Sequence, residues 1–266
     1  IGAVCFRCFA AARTARKTPR HCDRHPSRLR NRGSQVRPTG WPIPGWRCQR
    51  LWSKNPRRSK YRHKANSLRG NGQLSLAAPG EEQPDRYTYD PQDPVSTRGG
   101  TTLGLAMGVF DQTKVEERED VLVYTGDALT ADLEVTGPIS LRLFAASSAP
   151  DTDFTAKLVD LRPDGYAQNI AEGVIRARFR ESLSQPALIT PEKVYEYTVD
   201  LWATSHVFKA GHRLRLEVSS SNFPRYDRNP NTGHDFGVDA ELRTARQTIF
   251  HDSRYPSHLV LPVIPR

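Results

Sequence analysis

Two clusters in this 266-residue chain have residue types and spacings that could do chemistry. Cys5-x2-Cys8, thirteen residues, then Cys22-x2-His25 sets three thiols and an imidazole in two close pairs. Zinc takes four such ligands in a tetrahedron, and two short-spaced pairs supply that geometry. The second cluster is Ser219-Ser220-Ser221-Asn222-Phe223-Pro224-Arg225-Tyr226-Asp227-Arg228-Asn229-Pro230-Asn231-Thr232-Gly233. Its residues are those whose side chains bond their own backbone on leaving a strand. Phe223 and Tyr226 offer amphipathic area, and Arg225, Asp227 and Arg228 offer charges, as interfaces require. The same residues also read as a self-contained loop in which Arg225 and Asp227 satisfy each other.

Other groups fall short of a site. Asp151 and Asp153 bring two carboxylates where calcium takes 6–8 oxygens, so a solvated turn is expected there. His206, His212, His234, His251 and His258 are scattered among strands and loops. A nucleophile needs a positioned base and an orienter, and no Gly-x-Ser-x-Gly occurs to supply the nucleophile's turn. Tyr195, Tyr197 and Trp202 could form a sugar platform, but their alternation fits a core face better.

The formal charge of +10 conceals two unlike parts. Residues 1–66 hold 18 Lys and Arg against one acid, Asp23; residues 67–266 hold 21 against 28 acids. The basicity that would suggest nucleic acid or a membrane surface therefore belongs to one quarter of the chain. All four cysteines lie in that quarter too, which excludes a disulfide framework for the rest. No run of about 18 apolar residues provides a transmembrane helix.

Residues 1–63 show neither a helical nor a strand-like apolar period. They read as a basic, unstructured targeting tail, as the zinc module above, or as an out-of-frame translation of GC-rich DNA. The opening Ile1 and the abrupt change near Lys64 favour the last, and with it a fragment or a mis-set frame. Residues 64–118, broken by Gly70, Gly72, Pro79, Gly80, Pro84, Pro91, Pro94, Gly99 and Gly100, read as a linker.

From 119 to 266 the pattern is that of strands. Apolar and polar residues alternate at Ile139–Phe144, Ile175–Arg180, Tyr195–Leu201 and Arg213–Val218. Shorter runs occur at Val121–Thr125, Phe154–Leu161, Gln247–Phe250 and His258–Val263, with a turn at Pro163-Asp164-Gly165. Arg176, Arg178 and Arg180 would form one charged strand face. About nine short strands and no long helix predict an all-β, antiparallel sandwich or jelly roll.

Several ordered motifs resemble the cocaine esterase / X-prolyl dipeptidyl aminopeptidase (CocE/NonD) hydrolases across about Lys64–Arg266. They are Tyr87–Val95, Asp132–Pro138, Ala149–Phe154, Gly173–Ser182, Tyr195–Trp202, Phe208–Arg213, Ser219–Gly233 and Pro256–Pro262. The resemblance implies the family's C-terminal, galactose-binding-like jelly roll, not the α/β-hydrolase domain with its Ser, Asp and His. None of those catalytic positions can be carried over. It further implies that Asn222, Phe223, Arg225, Tyr226, Asp227, Arg228 and Asn229 face the catalytic domain.

The expectation is a non-catalytic domain that walls a substrate cleft and stabilises an α/β-hydrolase partner, without turnover alone and without a cofactor. No membrane or specific nucleic-acid partner is expected, homo-oligomers are possible, and the cytoplasm is the favoured address. The rivals are a free-standing carbohydrate-binding module, which buried Tyr195 and Tyr197 would sink, and a nucleic-acid-binding protein acting through residues 1–63.

Overall fold

The computed structural model describes residues 61–104, 106–238 and 240–265. Among them are eleven strands, two three-residue 3-10 turns and a single α-helix of four residues, α1 (Thr113–Glu116). The strands are β1 (Arg62–Arg69), β2 (Gln73–Ser75), β3 (Asp85–Tyr89), β4 (Leu122–Ala128), β5 (Leu133–Ser147) and β6 (Asp153–Leu161). They continue with β7 (Ala167–Arg176), β8 (Tyr195–Phe208), β9 (Arg213–Ser219), β10 (Ala245–Phe250) and β11 (His258–Ile264). Hydrogen bonding links them in the order β3-β10-β5-β11-β1-β2-β4-β9-β6-β7, with β8 on β5. Every pairing is antiparallel except the single β2–β4 contact. The all-β antiparallel sandwich expected from the sequence is the fold.

Alternation explains the core. Along β5, Val135, Ile139, Leu141, Leu143 and Ala145 point inward, and opposite them β8 contributes Tyr197, Val199 and Leu201. Phe154 and Leu158 of β6 and Leu216 and Val218 of β9 complete one continuous cluster. At roughly 25 cal/mol per Å² of apolar area, such burial is the main favourable term for the domain.

The linker reading of residues 64–118 is corrected, because this stretch contributes three strands. β1 is polar in sequence and earns its place through backbone pairing with β11, from Arg62↔Val263 to Ser67↔His258, and with β2. It begins at Arg62, two residues inside the segment read as unstructured. β3 does alternate, burying Tyr87 and Tyr89 against β10, but prolines on both sides conceal it. Residues 91–104 and 106–121 form a strap over the sandwich with a small core of Val95, Val115 and Val121.

The charged face expected at Arg176–Arg180 is also corrected. β7 ends at Arg176 and residues 177–179 turn as a 3-10 helix, so Arg178 is carried inward and is 6% exposed.

β7 crosses β8 at contact distance. A Cβ on Gly173 would lie 2.0 Å from the carbonyl oxygen of Asp200, so only glycine admits this approach. Gly173→Ala is therefore expected to cost at least about 2 kcal/mol, since rigid backbone rather than a side chain must yield. Thermal unfolding should show a fall of several degrees. Gly80→Ala, with nothing within 4 Å, should leave the midpoint unchanged.

Candidate functional site

Ser219-Ser220-Ser221-Asn222 leaves β9 into the interior, where all four residues are buried. Each of the three hydroxyls finds a partner on another segment. Ser219 Oγ donates to the carbonyl of Asp120 at 2.7 Å, and the Ser220 hydroxyl meets Tyr87 OH at 2.9 Å. Ser221 Oγ accepts the Val95 N–H at 2.8 Å. The strap then runs beside the loop: Phe223 N donates to Val95 O, Thr97 N to Phe223 O, and Thr97 Oγ1 to Asn222 O. Buried polar groups are tolerated only when paired in this way.

Asn229 closes the loop. Its amide donates to Asp151 Oδ2 at 3.0 Å and Asp153 Oδ1 at 2.8 Å, while its Oδ1 accepts Asn231 N at 2.9 Å. Its carbonyl accepts from Tyr89 OH at 3.2 Å. Asp151 and Asp153 are thus neither a calcium site nor a solvated turn; they are 0% and 3% exposed. Arg178 Nε pairs with Asp151 at 2.8 Å, and Arg176 binds Asp153 through Nε and Nη2 at 2.8 and 2.9 Å. Burial still pushes the Asp153 carboxyl above its ordinary value, against the pull of Arg176 and Asn229. Phe236 lies over both guanidinium groups, at 4.8 Å from Arg176 and 4.6 Å from Arg178.

The expected interface residues divide into braces and contacts. Asn222 donates to Glu172 Oε2 at 2.8 Å, and Arg225 pairs with Glu172 at 2.9 Å and holds the Thr101 carbonyl. Asn229 is buried. Phe223, Asp227 and Arg228 face solvent, and Tyr226, stacked on Arg225, is half-buried. Arg225 and Asp227 do not satisfy each other: Asp227 reaches Arg176 at 3.2 Å instead. Arg228 holds the Pro91 carbonyl at 3.1 Å. The strap, which meets Phe223 at Ala106 and Phe110, exposes Leu103, Met107 and Val109, none of them anticipated. Their signal was the glycine spacing: Gly99, Gly100, Gly104 and Gly108 all have positive φ, and Gly100 and Gly108 bridge each other.

Beneath the strap lies a second charged group. Lys157 donates to Gln112 at 2.8 Å and pairs with Glu217 at 3.2 Å, and Arg215 holds Glu116. Burial pushes the Glu217 carboxyl up to about 7, with the facing Glu116 adding repulsion against the pull of Lys157. Burial raises Glu116 as well. The Oε1 atoms of both are buried without another partner, so a proton on Glu217 lets one carboxyl donate to the other.

The histidines assemble no nucleophile relay among the described residues. His206 and His212 both bind Asp160, at 3.0 and 2.8 Å, and His258 meets the Pro256 carbonyl. His251 bonds Asp85 at 3.1 Å, as does Tyr124 OH at 2.8 Å. Burial acts to raise Asp85, but those two hydrogen bonds outweigh it and hold the carboxyl below its usual value. The sugar platform does not form: Tyr197 is fully buried and its ring plane is 58° from that of Tyr195. Cys5, Cys8, Cys22 and His25, and the basic stretch as a whole up to residue 60, lie outside the described residues.

Comparison with known proteins gives a consistent result. The family described as the X-Pro dipeptidyl-peptidase C-terminal non-catalytic domain matches residues 21–260. A cocaine esterase from Rhodococcus sp. (strain MB1 Bresler) is 50% identical over 209 residues, covering 76% of this chain and 36% of its own. An aminopeptidase from a marine sediment archaeon, Thaumarchaeota archaeon, superimposes with a TM-score of 0.72 and 32% identity, covering 77% of this chain and 37% of its own. An α-amino acid ester hydrolase gives 0.69 and 32%, over 75% and 36%. This chain therefore spans little more than a third of the length of each.

Two outcomes follow from the buried charges. Arg178→Met strands Asp151 and should cost about 3–5 kcal/mol. Adding Asp151→Asn should restore part of that, so denaturant melts of the double variant fall short of the sum of the singles. Glu217 holds a proton in the folded state up to about pH 7 and loses it near 4.5 when unfolded. Its contribution, roughly 3 kcal/mol, is full below 4.5 and lost as pH rises through 7. Glu217→Gln should abolish that part of the difference between melts at pH 5 and pH 8.

Proposed function

The chain belongs to the X-Pro dipeptidyl-peptidase / cocaine esterase (CocE/NonD) hydrolase family as its C-terminal non-catalytic domain, and from that premise we propose that it docks on an α/β-hydrolase catalytic domain, walls the substrate cleft there and stabilises the assembled enzyme. The reaction served is acyl transfer to water from an ester or amide through a serine acyl-enzyme. This domain supplies shape and rigidity, and the catalytic domain supplies the nucleophile, base and oxyanion donors.

The observation that carries the reading is the face formed by the 219–233 loop and the strap. Phe223 lines a cleft with Ala106 and Phe110 of the strap, and Leu103, Met107 and Val109 of the same segment are exposed, on a backbone tied at Val95, Thr97 and the Gly100–Gly108 bridge. Monomeric surfaces seldom gather apolar side chains on so rigid a base without a partner. Rigidity also lowers the ordering cost of association, so more of the contact energy appears as affinity. Asp227, Arg228 and Tyr226 stand on the same loop and supply the polar rim.

A chimera tests this. The matched third of the Rhodococcus relative is replaced by residues 61–266 of this chain. The expected product is a folded, active esterase, while this chain alone hydrolyses p-nitrophenyl esters at the buffer rate. Phe223→Asp with Met107→Asp in the chimera should lower its melting temperature by at least about 5 °C or cut kcat/KM at least tenfold. Unchanged stability and activity in that double variant would overturn the docking assignment.

A further inference from the structure

β8 carries one residue too many at its centre. Pro138 pairs with Ala203 and Ser140 with Asp200, so Leu201 and Trp202 share a single partner position on β5. Leu201 goes inward and is fully buried; Trp202 is the surplus residue. Its backbone sits at φ +66, a conformation that costs a side-chain-bearing residue about 1–3 kcal/mol, and its N–H is held by Asp200 Oδ1 at 2.8 Å. The result is a large aromatic ring, 72% exposed, on an otherwise well-packed strand. Of the four tryptophans in the chain it alone lies in the described residues. Strain of this kind, spent to present an indole to solvent, asks for a ligand.

The ring stands at the rim of a cleft of about 380 Å³ between β7, β8 and the strap. That volume falls within the range of small-molecule sites. Ile170, Ala171, Leu201 and Ala203 give it apolar walls, and Gly100 and Thr101 close the far side. The floor is ionic. Arg225 sets Nε 2.9 Å from Glu172 Oε1 as an ion pair without a hydrogen bond and donates Nη1 to the Thr101 carbonyl, which leaves Nη2 as a donor. Lys157, at the base, donates to Gln112 and Glu217 and keeps a third N–H. Glu172 is already bonded by Asn222 and paired with Arg225. Glu172 Oε1 accepts no hydrogen bond, but it is buried against Gly100, so the capacity left for a ligand is mainly that of the Arg225 and Lys157 donors.

We propose that this cleft is a binding site for an aromatic carboxylate, its ring laid on Trp202 and its carboxylate on Arg225. A planar ring matches the indole face, and a guanidinium edge suits a carboxylate better than a neutral acceptor. Pyranose rings offer hydroxyl donors, for which this floor holds little free acceptor. The cleft shares Arg225 and the strap with the loop face, but its test uses this chain alone, so its failure and the failure of the docking reading are distinguishable.

The experiment is a titration of the 15N-labelled full chain followed through tryptophan indole N–H resonances. The probes are phenylacetate, its neutral amide phenylacetamide, and methyl β-glucoside. Phenylacetate should shift one indole signal, absent in Trp202→Asn, with a Kd on the order of 1 mM, as befits about ten heavy atoms. Trp202→Asn tolerates the positive φ, and Arg225→Gln removes the charge while offering Glu172 an amide, its melt being recorded beside the titration; each should weaken binding at least tenfold. Phenylacetamide should bind at least fivefold more weakly, and 0.5 M salt should reduce only the carboxylate's affinity. No shift by 20 mM phenylacetate, equal binding by the Trp202→Asn variant, or preference for the amide or the glucoside would each overturn the proposal.

Discussion

The arrangement depends on one constraint: carboxylates buried in the sandwich must each meet a cation or an amide. Asp151, Asp153, Glu172 and Glu217 are all at most 9% exposed, and none could stay ionised there unaided. Their partners come from different segments. Arg176 and Arg178 arrive from the end of β7, Lys157 from β6, and Asn222, Arg225 and Asn229 from the loop after β9. Because an unpaired buried charge costs far more than a paired one returns, pairing does little for net stability but excludes other loop placements. Asn229 is the clearest case, since its two N–H groups must reach two acids at once.

That constraint explains how a loop so rich in flexible residue types can be an ordered surface. Ser, Asn and Gly ordinarily signal mobility. Here the polar side chains point inward and spend their bonds on the strap and on β3, leaving the aromatic and charged residues outside. The strap in turn covers the polar side of β6, where Thr155 and Lys157 would otherwise be open to water. Loop and strap are thus two halves of one face, each incomplete without the other.

The sequence disclosed what repeats and concealed what is contributed once. β5, β8 and β9 were legible because their apolar residues alternate, as in Ile139–Leu143 and Tyr195–Leu201. β4, β6, β10 and β11 showed as short apolar or β-branched runs, whereas most of β7 lacks a clean period and is read too late, at Ile175–Arg180. β1 was not legible, since Arg62-His63-Lys64-Ala65-Asn66 has no apolar period and its role is to supply backbone bonds to β11. Arg176 and Arg178 looked like a solvated face because alternation cannot say that two acids, 23 and 27 residues upstream, lie beneath them. The 219–233 loop was recognisable as a whole, yet which of its members brace and which reach out depended on Glu172 and the two aspartates. Trp202 was assigned to the core by extrapolating the alternation one step too far. The bulge that inverts it leaves no mark in the sequence.

That bulge has a cause in the packing. At Gly173 the β7 backbone lies so close to Asp200 and Leu201 that a side chain of any size is excluded. Beyond this crossing β8 must regain its register with β5, where Phe208 of β8 is inward although it lies an odd number of residues from Leu201. A strict two-residue period would put Phe208, at 0% exposure, on the solvent side. One extra residue repairs the parity, and that residue must leave the pleat. Any small or polar residue would serve this purpose, and Asn or Gly would do so with less strain. Geometry therefore accounts for the bulge but not for a tryptophan in it, and the indole's position at an apolar cleft with an ionic floor is what the packing alone does not require.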